Sequence, residues 1–313
     1  MNIWAYIFRR LLYVVPVVLG VCAIVFVLFN IFSPDPALIM LGKHATASQV
    51  LEIRKELGLD QPWLVQYWNI VKSAFTFDFG RSWSTKQEIS DMIRAGAIPS
   101  LTLSLPAFVF STVISISISL LVSYYRGTAF DRIAVFSCVA LMSISSLAYI
   151  LFGQNIFAYQ LGLFEISGYE SGFPYFLPYI ALPVIIWVIL GLGPDVRFYR
   201  TVILDEVYQD YVRTARAKGM GENAILFKHV LKNAMIPIIT YVVIQIPFLI
   251  LGALLLESFF GIPGLGGITL NAVNSSDFPV LKAMTVLSAI AYILFSVITD
   301  VLYTLVDPRV RLK

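Results

Sequence analysis

Six apolar stretches, each long enough to cross about 30 Å of hydrocarbon, set the terms on which this chain folds. They fall at roughly 8–32, 98–123, 131–157, 174–194, 236–257 and 280–306. Backbone at that depth has no water to satisfy it, so each stretch must be helical. An all-α membrane protein with six transmembrane helices is expected. The 313 residues are 58% hydrophobic and only 13% charged, about half the charged share of an average soluble domain, which excludes an ordinary water-soluble enzyme. Pro16, Pro106 and Pro183 lie inside the stretches, where neighbouring helices can satisfy the carbonyls a proline frees. The first stretch follows Arg9 and Arg10 as a signal peptide's would. It is too long for one and lacks a small-x-small cleavage site, so residues 1–32 are expected to remain as the first transmembrane helix.

Lysine and arginine partition unevenly between the two sides of such a bundle. Arg9, Arg10, Arg126, Arg132, Arg197, Arg200 and the basic cluster from Arg213 to Lys232 share one side with Arg309, Arg311 and Lys313. Opposite them stand Lys282 and a long loop, residues 33–97, whose basic and acidic residues match in number. Loops that long weigh little in orientation, so both termini and the basic cluster are expected in the cytoplasm and the long loop in the periplasm. Within the loop Val50, Ile53 and Leu57, then Trp63, Tyr67, Ile70 and Val71 beyond Gly58, recur at helical spacing and predict two short amphipathic helices. These either lie on the outer bilayer surface, with Trp63, Trp68 and Trp83 as interface anchors, or form a docking platform for a partner. Residues 98–313 would hold helices two to six.

Several chemistries are missing. No G-x-x-x-x-G-K-[ST] occurs, and the glycine cluster Gly261–Gly267 lacks the lysine that reaches phosphate. His44 and His229 are the only histidines and fall on opposite sides of the bundle, so no histidine-dependent intramembrane protease can be assembled. Cys22 and Cys138 lie in apolar runs without a metal-ligand neighbour. No catalytic or metal site is expected, and the net charge of +3 does not describe a nucleic-acid footprint. Among ionisable residues in or near the spans, Asp195, Arg197 and Glu257 are placed at membrane interfaces and Asp300 near the inner end of the last span, fewer mid-membrane charges than an ion-coupled carrier needs. Ser104, Ser111, Ser115 and Ser119 follow helical spacing and mark either close helix packing or a polar translocation surface.

The densest basic segment is "DYVRTARAKGMGENAILFKHVLKNAMIPIIT", Asp210–Thr240. Two helical patterns, Leu204–Lys218 and Glu222–Ala234, are interrupted by Gly219 and Gly221, which permit a tight turn. The second pattern sets Ala224, Phe227, Val230 and Leu231 on one face and Lys228 and Lys232 on another. A helix-turn-helix over loop 205–235 is predicted. "YVRTARAKG" followed by "LFKHVLKNAMIPIIT" resembles the EAA coupling loop of bacterial ABC importer permeases, closest to the first permease of the dipeptide and oligopeptide group. "FRRLLYVVPVVLGV", "LGLDQPWLVQYW", "FDFGRSWST", "ESFFGIPGLGGITLNAVNSSDFPV" and "DPRV" match that group in the same order. The chain departs from the general motif in having Arg213, Thr214 and Ala215 in place of Glu-Ala-Ala, and in the later position of Pro237.

The resemblance implies a type I importer permease bundle in the bacterial inner membrane, forming half of a pathway for di- or oligopeptides. It implies that Tyr211, Arg213, Ala215, Arg216, Ala217, Lys218, Gly219, Met220 and Glu222 contact an ATPase. Phe260, Pro263, Gly264, Leu265 and Gly266 would form an outer gate, a contact for a binding protein, or simply a tight turn. Implied partners are a second homologous permease, two ABC ATPases that hold ATP and Mg, a periplasmic or surface-anchored binding protein, the peptide and membrane lipid; the chain itself would bind no cofactor. Nickel or glycan permeases of the same family, and an ion-coupled carrier, are the alternative readings.

Overall fold

The computed structural model describes residues 3–32, 35–41, 46–250 and 252–306; the expectations for His44 and for the "DPRV" tail lie outside them, as does the side chain of Asp300. Among the described residues fourteen α-helices follow one another and no strand forms. They are α1 Ile3–Val27, continued by a π-helical turn to Phe32, α2 Pro36–Leu41, α3 Ala47–Glu56, α4 Trp63–Thr76, α5 Ile89–Tyr124, α6 Ala129–Ser143 and α7 Ser146–Gly153, continued to Gln160. Next come α8 Leu177–Val207, α9 Asp210–Ala217, α10 Glu222–Ile225, α11 Leu231–Ile250, α12 Leu254–Phe260, α13 Leu265–Asn274 and α14 Phe278–Val306. A π-helical turn over Leu226–Val230 joins α10 to α11.

Among the described residues five helices are long and apolar enough to span: Leu12–Phe32, Ile89–Tyr124, Leu177–Val207, Glu222–Leu249 and Phe278–Ile298. The third apolar stretch is different. It bends by 89° between α6 and α7, at Ile144 and Ser145 in extended conformation, where Ser145 occupies the N-cap position that serine favours. The fifth stretch also departs from expectation, because the spanning helix begins at Glu222 and a second bent pair, α12 and α13 at 88°, follows it. The second begins at Ile89 and the fourth runs on to Val207, so their polar ends project beyond the apolar windows.

Small residues bring the long helices together. A Cβ on Gly193 would lie 2.7 Å from Met142 Cγ and 3.0 Å from the Cys138 carbonyl, and one on Gly153 would lie 2.7 Å from Ile186 Cδ1. The serine stripe belongs to the same packing: Ser104 Oγ donates to the Leu249 carbonyl at 3.0 Å and Ser119 Oγ to that of Val196 at 3.0 Å. This favours close helix packing over a polar path, since all four serines are buried inside the chain. At the end near α9, Arg200 holds Asp131 through two bonds of 2.8 and 2.9 Å and so pins α6 to α8.

Both amphipathic helices of the long loop form. Val50, Ile53 and Leu57 are half-buried on α3. α4 packs on the first spanning helix: Val71 and Ala74 join Val18, Cys22 and Val25 of α1 in one core. The Tyr67 hydroxyl reaches the Leu19 carbonyl, midway along α1, at 3.1 Å. α4 therefore lies along the first spanning helix, with Trp63 in its first turn and Trp68 both exposed.

Candidate functional site

The helix-turn-helix is present with adjusted boundaries. α8 ends at Val207, Gln209 caps α9, and Gly219 takes φ +78° in the left-handed region, where an L side chain is strained. Gly221 then caps α10 in extended conformation. Arg216 spans the turn, its Nε donating to Glu222 Oε1 at 2.7 Å and a terminal nitrogen to Oε2 at 3.2 Å. This pair closes the angle between the two short helices. The Tyr211 hydroxyl donates to Glu206 Oε2 at 2.6 Å, tying α9 back to α8. Burial and that acidic neighbour push the Tyr211 phenol up to about 12.

The hairpin is mounted on a continuous core. Val212, Ala215, Ile225, Leu226 and Val230 pack with Ile203 and Val207 of α8 and Ala234 and Ile238 of α11. Two expectations are corrected here. Ala215 is only 5% exposed and faces this core, so it positions α9 and does not offer a surface. The buried face of the second helix is Ile225, Leu226 and Val230, while Ala224 and Phe227 are exposed. The π-helical turn advances by about five residues, which rotates the register away from a 3.6-residue reading. Arg213, Ala217, Lys218 and Gly219 remain exposed, with Tyr211, Arg216 and Met220 half-buried and Glu222 exposed. Exposed Tyr208 and Phe227 flank them; the sequence reading missed both as surface.

Above that core lies a carboxylate placed too near the surface by sequence. Asp195, within α8, is 7% exposed. It accepts from the Tyr241 hydroxyl of α11 at 3.1 Å and from Ser111 Oγ of α5 at 3.3 Å. Tyr241 also stacks on Phe198, with ring centroids 4.2 Å apart. Three spanning helices thus meet on one acid directly beyond the hairpin core.

The "ESFFGIPGLGG" segment folds at the opposite end of α11. Glu257, also placed at an interface by sequence, is fully buried. It accepts from Ser100 Oγ at 2.7 Å, the Ala253 N–H at 3.1 Å and the Gly267 N–H at 3.1 Å, so one carboxylate caps the N-termini of both α12 and α13. Ser100 Oγ in turn accepts the Leu265 N–H at 2.7 Å. A Cβ on Gly264 would collide with the Glu257 carboxylate and Ser100, which explains the glycine. Phe260, Gly264, Leu265 and Gly266 are buried in the chain's own core and offer no contact surface; Pro263 alone of the five is exposed.

A second acid ties the long loop to the same end. Asp277, just before α14, accepts from Ser82 Oγ, the Trp83 N–H at 3.1 Å, the Ser84 N–H at 3.1 Å and Ser84 Oγ at 2.8 Å. Burial alone would raise its carboxyl, but these donors outweigh it and hold the group below the usual range. The "RSWS" and "SSDF" segments, distant in sequence, are thereby one structure.

A helical hairpin sharing one core with two spanning helices matches a class: the membrane-spanning permease subunit of a transporter driven by a separate ATPase. The comparison with known sequences makes this particular. Residues 111–312 match the family described as binding-protein-dependent transport system inner membrane component, and residues 3–105 match its N-terminal region; the chain belongs to this family. It is 32% identical over 308 residues to the glutathione transport system permease protein GsiC of Escherichia coli (strain K12), covering 98% of this chain and 99% of the relative. The proteins of that name from Salmonella typhi and Salmonella choleraesuis (strain SC-B67) match at the same identity and coverage. The chain is a multi-pass inner-membrane subunit of a peptide-type ABC importer, and it works with an ATPase and a substrate-binding protein without being the ATPase itself.

Proposed function

We propose that this chain forms half of the pathway for short peptides and pairs with a second homologous permease. Two ATPases holding ATP and Mg would dock on the α9–α10 hairpin, and a periplasmic or surface-anchored binding protein would deliver substrate at the opposite end. Both termini and the hairpin are cytoplasmic in this reading, supported by the lysine and arginine asymmetry. The carrying observation is that the hairpin shares one core with α8 and α11 and is braced across its turn by Arg216 and Glu222. A push on Ala217, Lys218 or Gly219 is then transmitted to two spanning helices and, through Asp195, to α5. ATP and loaded binding protein favour the outward state, and hydrolysis restores the inward one. The glutathione permeases among its relatives support a small peptide as cargo.

Gly219→Trp tests the docking. A Cβ there meets nothing of this chain within 4 Å, so a bulky side chain starts into open space on the surface a partner would cover, while Gly219→Ala carries the same backbone strain of roughly 1–2 kcal/mol without bulk. The expected result is loss of ATPase copurification with Trp and retention with Ala. Equal copurification of both variants with wild type refutes the docking site.

A further inference from the structure

A cavity of about 490 Å³ lies between α4, α14, the end of α1 and the segments around Leu59 and Arg81. Lys282 of α14 lines it and donates one hydrogen bond, to Asn30 Oδ1 at 2.7 Å. Asn30 passes its own amide N–H to Gln66 Oε1 at 2.6 Å, and Gln66 donates to the Leu59 and Gln61 carbonyls at 3.1 and 2.7 Å. The relay consumes acceptors in sequence away from the ammonium. Lys282 carries three N–H donors, and among the described residues no carboxylate lies within 4.0 Å of it. Arg81, paired with Glu88 at 3.5 Å, adds a second cation to the cavity wall, and Glu56 is the one acid among its described lining residues. Trp83, Phe79, Ile70 and Val286 supply apolar wall.

We propose that this cavity binds a soluble oxyanion, the carboxylate of a small solute or a phosphate, on the free donors of Lys282. A half-enclosed ammonium without a counter-ion is costly, and a ligand oxyanion supplies the missing charge-assisted bonds. The source is aqueous because the cavity is lined by the polar face of α4, Gln66, Asn69 and Ser73. Leu64 and Trp68 are exposed on the opposite face of α4. The site is separate from the hairpin and does not depend on how an ATPase docks.

Reductive methylation of wild-type protein in phosphatidylcholine nanodiscs, with lysines quantified by mass spectrometry, reads the site directly. At ten times its dissociation constant, a dipeptide with a free carboxylate or inorganic phosphate should slow Lys282 modification about elevenfold, as single-site mass action requires. Lys72 and Lys86 should be unaffected, and the C-terminally amidated dipeptide should not protect. Lys282→Gln, which can still donate to Asn30, should lose the thermal shift that the same probe confers on wild type. Absence of protection at saturating dipeptide and phosphate overturns the proposal. Protection only after phosphatidylglycerol replaces phosphatidylcholine overturns the aqueous source.

Discussion

Replacing Glu257 by alanine removes the acceptor of one buried and two partly buried donors at once: Ser100 Oγ, then the Ala253 N–H and the Gly267 N–H. Each such donor left unsatisfied costs about 1–3 kcal/mol, so the loss is roughly 3–9 kcal/mol before relaxation. Ser100 can relax, because its oxygen still accepts from Leu265, which favours the lower part of that range. Glu257→Gln keeps the shape and one acceptor oxygen but turns an NH2 toward donors, and should lose about 1–3 kcal/mol. Cys22 and Cys138 are both free and buried, so a thiol-reactive dye reports unfolding in detergent. At about 2–4 °C per kcal/mol for a chain of this size class, the alanine variant should melt on the order of 10 °C below wild type and the glutamine variant between them. The distant α9–α10 hairpin should still bind its ATPase at low temperature. An alanine variant melting within about 2 °C of wild type, or above the glutamine variant, would refute the carboxylate as a double cap.

Further outcomes are expected. Asp277 has a carboxyl held below its ordinary value, so its stabilisation is present above the unfolded value near 3.9 and lost as pH falls through the folded one. The Tm gap between wild type and Asp277→Asn should be widest near neutrality and close in acid; a gap independent of pH contradicts this. Asp195→Ala should cost about 2–6 kcal/mol by stranding the Tyr241 and Ser111 hydroxyls, while Asp195→Asn, keeping one acceptor, should cost less in the same dye melt. Gly193→Val should lower Tm by overpacking against Met142 and the Cys138 carbonyl, about 1–3 kcal/mol, and expose Cys138 to the dye early. Arg216→Glu should shift stability by under about 1 kcal/mol, since the pair is exposed, yet weaken ATPase binding, with recovery in the Arg216→Glu, Glu222→Arg double variant.

The hairpin shows where local reading works and stops. Gly219 announces its turn in the sequence because only glycine takes φ +78° without strain, and the helix on either side follows from short-range pattern. Which face is buried does not follow, since the π-helical turn at Leu226–Val230 changes the period midway. The bend at Ile144 has no proline or glycine to mark it; Ser145 at the N-cap was the available signal. Lys282 carried no motif, and Asp277 lay inside a matching segment that gave it no role; what each does appears only when residues 30, 66 and 82–84 are brought alongside.

The sequence alone determined that the chain crosses a membrane as helices and where a tight turn separates α9 from α10. Hydropathy and backbone preference act over a few residues, and a bilayer leaves helices no alternative. The tertiary structure decided which charges are buried. Asp195 and Glu257 look like surface acids until α5, α11 and α13 close around them, because desolvation and hydrogen bonding of a carboxylate are set by groups remote in the chain.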